Sequence, residues 1–204
     1  MIFSWGGMML EIIFVRHGES IMNRNQVFCG WTDSKLTDKG ILQAEIVCEK
    51  LKKDDLKLII SSDLDRCYKT AHIINKKHGI EIIQESRLRE LNFGKWEGLS
   101  YNEICKKYPE ESKCWETDYI NYKLSEGESL IEMYNRVNRA YKDILKRCEK
   151  GKILIVSHSG VIRAILSHEI CQSIEGYWKF KVDNCGITRL QYVDGFPVLT
   201  AINL

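Results

Sequence analysis

The chain has 204 residues, 44% of them hydrophobic, enough to bury a core without disulfide or metal staples. Its 30 basic and 28 acidic residues leave a formal net charge of +2, with lysines such as Lys52 and Lys53 beside Asp54 and Asp55. That balance excludes the continuous basic face of a nucleic-acid binder and favours a small polar substrate.

The apolar opening from Met1 to Leu10 lacks a basic n-region and flows into the first strand, so it matches neither a signal peptide nor a membrane span. Residues 1–7 read as an extension outside the core, with Met8 or Met9 as the biological start. Glu11 to Val15 is nearly all β-branched or aromatic, as expected of a strand buried on both faces of a parallel sheet. Similar runs recur at Leu58 to Ile60, Ile80 to Ile83 and Ile153 to Val156. Helical stretches separate them: Asp38 to Lys53 behind the N-cap Thr37, Leu64 to Lys77, and Leu130 to Lys150.

From Leu99 to Glu128 the chain is polar and aromatic, with Pro109 as a breaker, and reads as a helical cap inserted over one edge of the sheet. Two capping boxes, Ser100-x-x-Glu103 and Ser129-x-x-Glu132, bracket it. Asp194-Gly195 then marks a hairpin between Ile187 to Tyr192 and Pro197 to Ile202. The expected architecture is an α/β three-layer sandwich, one domain over residues 1–204, with a mostly parallel central sheet and helices on both faces. Cys29, Cys48, Cys67, Cys105, Cys114, Cys148, Cys171 and Cys185 form no C-x-x-C pair, so reduced thiols in a cytoplasmic protein fit better than disulfides or zinc.

The chemistry collects at strand ends. Arg16-His17-Gly18 follows the first strand, Ser157-His158-Ser159-Gly160 follows another and opens a helix, and Arg66 stands at the opening of the helix after Ser61-Ser62. Ligands of open α/β sheets bind at that edge, and a helix N-terminus there favours an anion. One histidine or arginine after a strand is usually an incidental loop residue; two of each on three strand ends form a cage for a tetrahedral dianion. His72, His78 and His168 lack this context and read as structural or surface residues.

These residues resemble the histidine phosphatase superfamily. Its Arg-His-Gly stands as Arg16-His17-Gly18, its following Asn as Asn23, its Gly-Trp-x-Asp as Gly30 to Asp33, its second arginine as Arg66, its acidic residue as Glu90 and its second histidine as His158. The resemblance implies His17 as nucleophile, Glu90 as proton donor and acceptor, and Arg16, Arg66 and His158 as the phosphate clamp, His158 being protonated. Asn23, Cys29, Gly30 and Ser159 are the expected substrate contacts, although Cys29 departs from the polar residue of relatives and reads equally as a buried small residue. Glu97 and Glu19 are rival carboxylates, and Arg87 and Arg89 flanking Glu90 suit a solvated ion-pair face. Attack requires a neutral His17 with one ring nitrogen free and the other proton held by an acceptor such as a backbone carbonyl. No cofactor or metal is called for.

Phosphatases and mutases of this family share the phosphohistidine intermediate. A mutase must hold a heavily anionic bisphosphate, yet residues 99–128 carry four lysines and no arginine against seven acids. The stretch Glu90-Leu91-Asn92-Phe93-Gly94 also resembles the phosphatase branch, α-ribazole phosphatases most of all, which makes α-ribazole 5′-phosphate the expected substrate. Phosphoglycerate mutase, a broad-specificity phosphatase and a catalytically silent phospho-ligand module are the alternatives. A nucleotide-binding enzyme fits less well, because neither Gly18 nor Gly160 lies in a Gly-rich phosphate loop. Tyr101, Tyr108, Trp115, Tyr119 and Tyr122 either pack the cap or stack on substrate. The expected partner is a small phosphomonoester, with no nucleic acid or membrane, and a homodimer is left open.

Overall fold

In a computed structural model the described residues are 9–204; the expected extension 1–7 and the alternative start Met8 lie outside them. The elements are β1 (Leu10–Arg16), α1 (Ile21–Arg24), α2 (Asp38–Leu51), β2 (Leu56–Ser61), α3 (Asp65–Asn75), β3 (Ile82–Gln84), α4 (Tyr101–Lys107), α5 (Pro109–Thr117), α6 (Leu130–Leu145), β4 (Gly151–Ser157), α7 (Ser159–Cys171), β5 (Ile187–Val193) and β6 (Phe196–Ala201). They build one six-stranded sheet in the order β3-β2-β4-β1-β5-β6. The first four strands in that order run parallel, and β5 and β6 add antiparallel at one edge.

Alternation of side chains along each strand divides the core between two faces. Ile12, Phe14, Ile153 and Ile155 pack with the apolar stripes of α6 and α7. Ile13, Val15, Leu154 and Val156 point the other way, onto α2 and α3. A strand with helices on both faces has no solvent side, which is why β1 and β4 read as continuous apolar runs.

Helix starts follow their caps: Thr37 caps α2, and Ser100 and Ser129 make complete capping boxes on α4 and α6. Three boundaries differ from expectation. The run from Ile80 enters the sheet only at Ile82, because the Asn75 side chain bonds both the N–H and the C=O of Ile80 and holds it out of the ladder. Helix α6 stops at Leu145, where its buried stripe ends after Ile144. Pro109 divides the cap without ending it, since it occupies the first turn of α5, where its missing N–H is harmless.

The cap rings pack rather than splay: Tyr108, Trp115, Tyr119 and Tyr122 lie against the main core, and Trp115 meets the buried Trp96 edge-on at 5.8 Å. No helix among the described residues is long and apolar enough to cross a membrane.

Candidate active site

β1 and β4 are adjacent and parallel, so Arg16 pairs with Ser157 and the residues that follow, His17 and His158, emerge side by side. Their rings lie 5.2 Å apart at 66°. Arg66 reaches the same place from the first turn of α3, and all three side chains are buried, His17 at 3% exposure and the other two at 0%.

His17 Nδ1 lies 2.8 Å from the Gly18 carbonyl, which can only accept, so Nδ1 carries the proton and Nε2 keeps its lone pair. Burial, then the charges of Arg66 and Arg16, drive the His17 pKa well below its ordinary 6.5. The loop is held by backbone. Gly18 packs so closely on the start of α2 that an added Cβ would stand 2.3 Å from the Gly40 oxygen, and Gly40 crowds Glu19 in the same way. Gly18 N–H donates to Thr70 Oγ1 at 3.1 Å.

Arg66 donates to the carbonyls of Thr32 at 2.9 Å and Gly30 at 2.6 Å, while Asp33 accepts from the Asp65 amide at the mouth of α3. The Gly-Trp-x-Asp stretch thus braces the guanidinium, and Gly30, an expected substrate contact, gives its carbonyl to Arg66. Arg16 donates from Nη1 to Val182 O at 2.8 Å. The Nε of each arginine is buried with no partner among the described residues. Among the described residues neither belongs to an ion pair; burial pulls the Arg16 pKa down against the opposing charge of Glu90, yet a guanidinium stays cationic at neutral pH.

His158, expected to stay protonated against the phosphate, has both ring nitrogens engaged by the protein. Its Nδ1 lies 3.3 Å from Arg66 Nη2, which can only donate, so Nδ1 is an acceptor and Nε2–H is left for Ser62 Oγ at 3.0 Å. Burial, then Arg66, His17 and Arg16, push the His158 pKa well below 6.5.

Glu90 is tied to the helix start that follows His158, with Oε1 accepting from the Leu91 amide and Oε2 from Gly160 N–H at the start of α7, each at 3.0 Å. Its neighbours do not neutralise it: Arg87 pairs with Glu85 and Asp143, and Arg89 with Asp63. The rival carboxylates have other duties, Glu97 accepting from the Trp31 and Thr32 amides and Glu19 from Thr37 and Lys39.

A family model described as histidine phosphatase superfamily (branch 1) matches residues 12–204. The chain belongs to the histidine phosphatase superfamily. It is 31% identical over 196 residues to phosphoserine phosphatase 1 of Hydrogenobacter thermophilus, covering 96% of this chain and 93% of that one. It is 33% identical over 188 residues to a Yersinia pestis protein named "Probable phosphoglycerate mutase GpmB", covering 90% and 86%. Among solved structures, the α-ribazole phosphatase from Shigella flexneri superposes with a TM-score of 0.91 at 26% identity, covering 95% of this chain and 96% of that one. Family and phosphatase relatives together make this chain a phosphatase.

In this histidine phosphatase the remaining expected contacts divide. Asn23 Oδ1 accepts from Ser20 N–H and Asn184 Nδ2, both at 3.2 Å, so its oxygen supports the loop. Cys29 is half-buried with its thiol 3.9 Å from Thr32 O, and burial raises its pKa. Ser159 opens α7 beside His158. Sequence reasoning missed three supports. Asn184 donates to the His17 carbonyl at 3.0 Å. Trp31 Nε1 donates to Glu90 O at 2.9 Å. Arg136 donates to the carbonyls of Arg87, Arg89 and Glu90 and pairs with Glu128, fixing the Glu90 loop. Only Glu128-x7-Arg136, opposite charges two turns apart around a helix start, hinted at the last.

Proposed function

We propose that this phosphatase hydrolyses a small-metabolite phosphomonoester through a phosphohistidine on His17. The observation that carries the proposal is a neutral imidazole with a free Nε2, close to the charges of buried Arg66 and half-buried Arg16, which join no ion pair and whose Nε–H groups have no partner among the described residues. Phosphoryl transfer spreads negative charge over three equatorial oxygens, and fixed guanidinium donors suit that charge.

In the first step the His17 Nε2 lone pair forms a bond to phosphorus as the ester P–O bond breaks, and the leaving oxygen takes a proton at Glu90. In the second, Glu90 removes a proton from water, the oxygen attacks phosphorus and the N–P bond breaks, returning neutral His17 and inorganic phosphate. Arg16 and Arg66 hold the oxygens throughout. His158 supports Arg66 through Nδ1 and offers its Nε2–H when the dianion arrives in place of Ser62. Water is the preferred acceptor because the cap is acidic and Lys123 is already paired with Glu132 at 2.8 Å. Unpaired thiols throughout the described residues suit a cytoplasmic setting.

Two leaving groups have specific support. The α-ribazole reading draws on the superposition with the Shigella flexneri enzyme, although the cap rings offered for stacking a base largely pack inward. Phosphoserine draws on the Hydrogenobacter thermophilus relative. The mechanism is tested by rapid quenching with a radiolabelled phosphomonoester. An acid-labile, alkali-stable phosphoprotein is expected in the wild type and absent in His17→Ala; turnover retained by His17→Ala would overturn the proposal.

A further inference from the structure

After α7 the chain doubles back along that helix toward the site. Ser173 N–H donates to Ser167 O, Phe180 O accepts from Arg163, Val182 O from Arg16, and Asn184 reaches the His17 carbonyl. Arg163 therefore lies on α7 just beyond the turn that holds Glu90, on the side that this returning segment covers.

The ion-paired arginines are Arg87, Arg89, Arg136 and Arg189. Arg163 joins no ion pair among the described residues; its Nε donates to Phe180 O at 2.9 Å, and its guanidinium also interacts with the Tyr177 hydroxyl. Its guanidinium lies over the Trp178 ring, 5.0 Å from the centroid, and 5.9 Å from that of Tyr177. Trp178 is 54% exposed, and Tyr119 of the cap region meets its ring at 6.2 Å, so the cation sits where the cap and the returning segment face each other. The place adjoins the proposed chemistry: a Cβ built on Gly160 would stand 2.1 Å from Glu90 Oε1 and 2.6 Å from the Tyr177 hydroxyl. Arg163 is also close enough for its charge to depress the Arg16 pKa, after the larger effects of burial and Glu90.

We propose that Arg163, set over the Trp178 ring, is the subsite for a carboxylate on the leaving group. The substrate is then a phosphomonoester whose alcohol carries a carboxylate a few bonds from the ester oxygen. One guanidinium beside the Tyr177 hydroxyl, paired with no carboxylate among the described residues, matches one planar monoanion. A second phosphate dianion would call for more than one cation, and a neutral base gains nothing from a desolvated one. The cation–π contact with Trp178 and the Nε bond to Phe180 O hold the guanidinium in place before substrate arrives, which lowers the ordering cost of binding.

This inference rests on the phosphoryl group lying between Arg16, Arg66 and His17, and its test separates the two. Phosphoserine and phosphoethanolamine differ only by the carboxylate, so the ratio of their kcat/KM values reports on the subsite alone. The wild type is expected to prefer phosphoserine by about 10- to 100-fold, the range of a charge-assisted hydrogen bond, and Arg163→Met to bring the ratio close to unity. Arg163→Lys, which keeps the charge but loses the fork, should fall between. A wild type that treats the two esters alike, or a ratio unmoved by Arg163→Met, overturns the subsite. So does a wild type that prefers α-ribazole 5′-phosphate to both. Thermal unfolding of each variant identifies misfolding, and Arg163→Lys supplies the comparison if Arg163→Met does not fold. Failure of the phosphohistidine reading would appear separately, as the absence of His17-dependent labelling.

Discussion

The two ends of β1 hold charge in opposite ways. At its start, Glu11 is 4% exposed and lies in a group with Asp54, Lys152 and Arg189, two acids with two bases, in which Arg189 reaches Glu11 and Asp54 at 2.8 Å each. At its far end, Arg16 and Arg66 surround His17 with no carboxylate in ion-pair distance among the described residues. The first arrangement is complete without any ligand. The second concentrates positive charge in a buried place, an unfavourable arrangement that an incoming anion relieves. One strand thus shows how to tell structural from functional charge: by whether the count closes.

Removing one member from each end should break this comparison most visibly. Arg66→Met is expected to lower kcat/KM on a generic aryl phosphate by about 10²- to 10³-fold while leaving the thermal midpoint near or above that of the wild type, since it removes uncompensated charge. A fall in stability comparable to that of a broken ion pair would remove the contrast. Arg189→Met should do the reverse. It leaves Glu11 and Asp54 to share Lys152 alone, two acids for one base, and costs about 2 to 3 kcal/mol by denaturant unfolding, with turnover per folded molecule unchanged.

Acid titration of stability separates the ends more finely. His17 and His158 are neutral when folded, with pKa values well below 6.5, whereas in the unfolded chain they titrate near that value. The unfolded state therefore binds more protons as the pH falls below 6.5, and stability should drop by up to about 1.4 kcal/mol per pH unit for each histidine. At the other end, burial pushes the Asp54 carboxyl up, but Arg189 and Lys152 outweigh it and hold the pKa below 3.8. That end contributes stability above the carboxylate range and loses it only in stronger acid. A single loss confined to low pH, with nothing between pH 6.5 and the carboxylates, would show that the histidines are charged in the fold. Inorganic phosphate or vanadate should flatten the histidine slope by stabilising the caged form.

Much of this was legible in the sequence because the site is built at strand ends, where apolar runs stop abruptly and the next residues carry the chemistry. Arg16, His17 and His158 are read that way, and Arg66 from the helix opening. The supports were not legible. Asn184, Val182 and Phe180 lie in an irregular segment with no periodicity, and their value lies in backbone carbonyls and a lone amide that only the fold brings to β1 and α7. The surroundings of His158 were equally hidden, since residue type gives only an ordinary pKa and burial beside Arg66 pushes it down. Gly30 illustrates a third case, a motif residue whose function is exerted through its carbonyl on Arg66.

The contact between Gly18 and Gly40 also has a bearing on how this protein could be altered. Two main chains touching without side chains between them leave no rotamer to absorb an error, so any added carbon at either position is passed directly to the imidazole next door. Libraries aimed at new leaving groups should hold both glycines fixed and diversify the cap and residues 174–182 instead. The ring proposed to attack can then be inherited unchanged while its surroundings are rewritten.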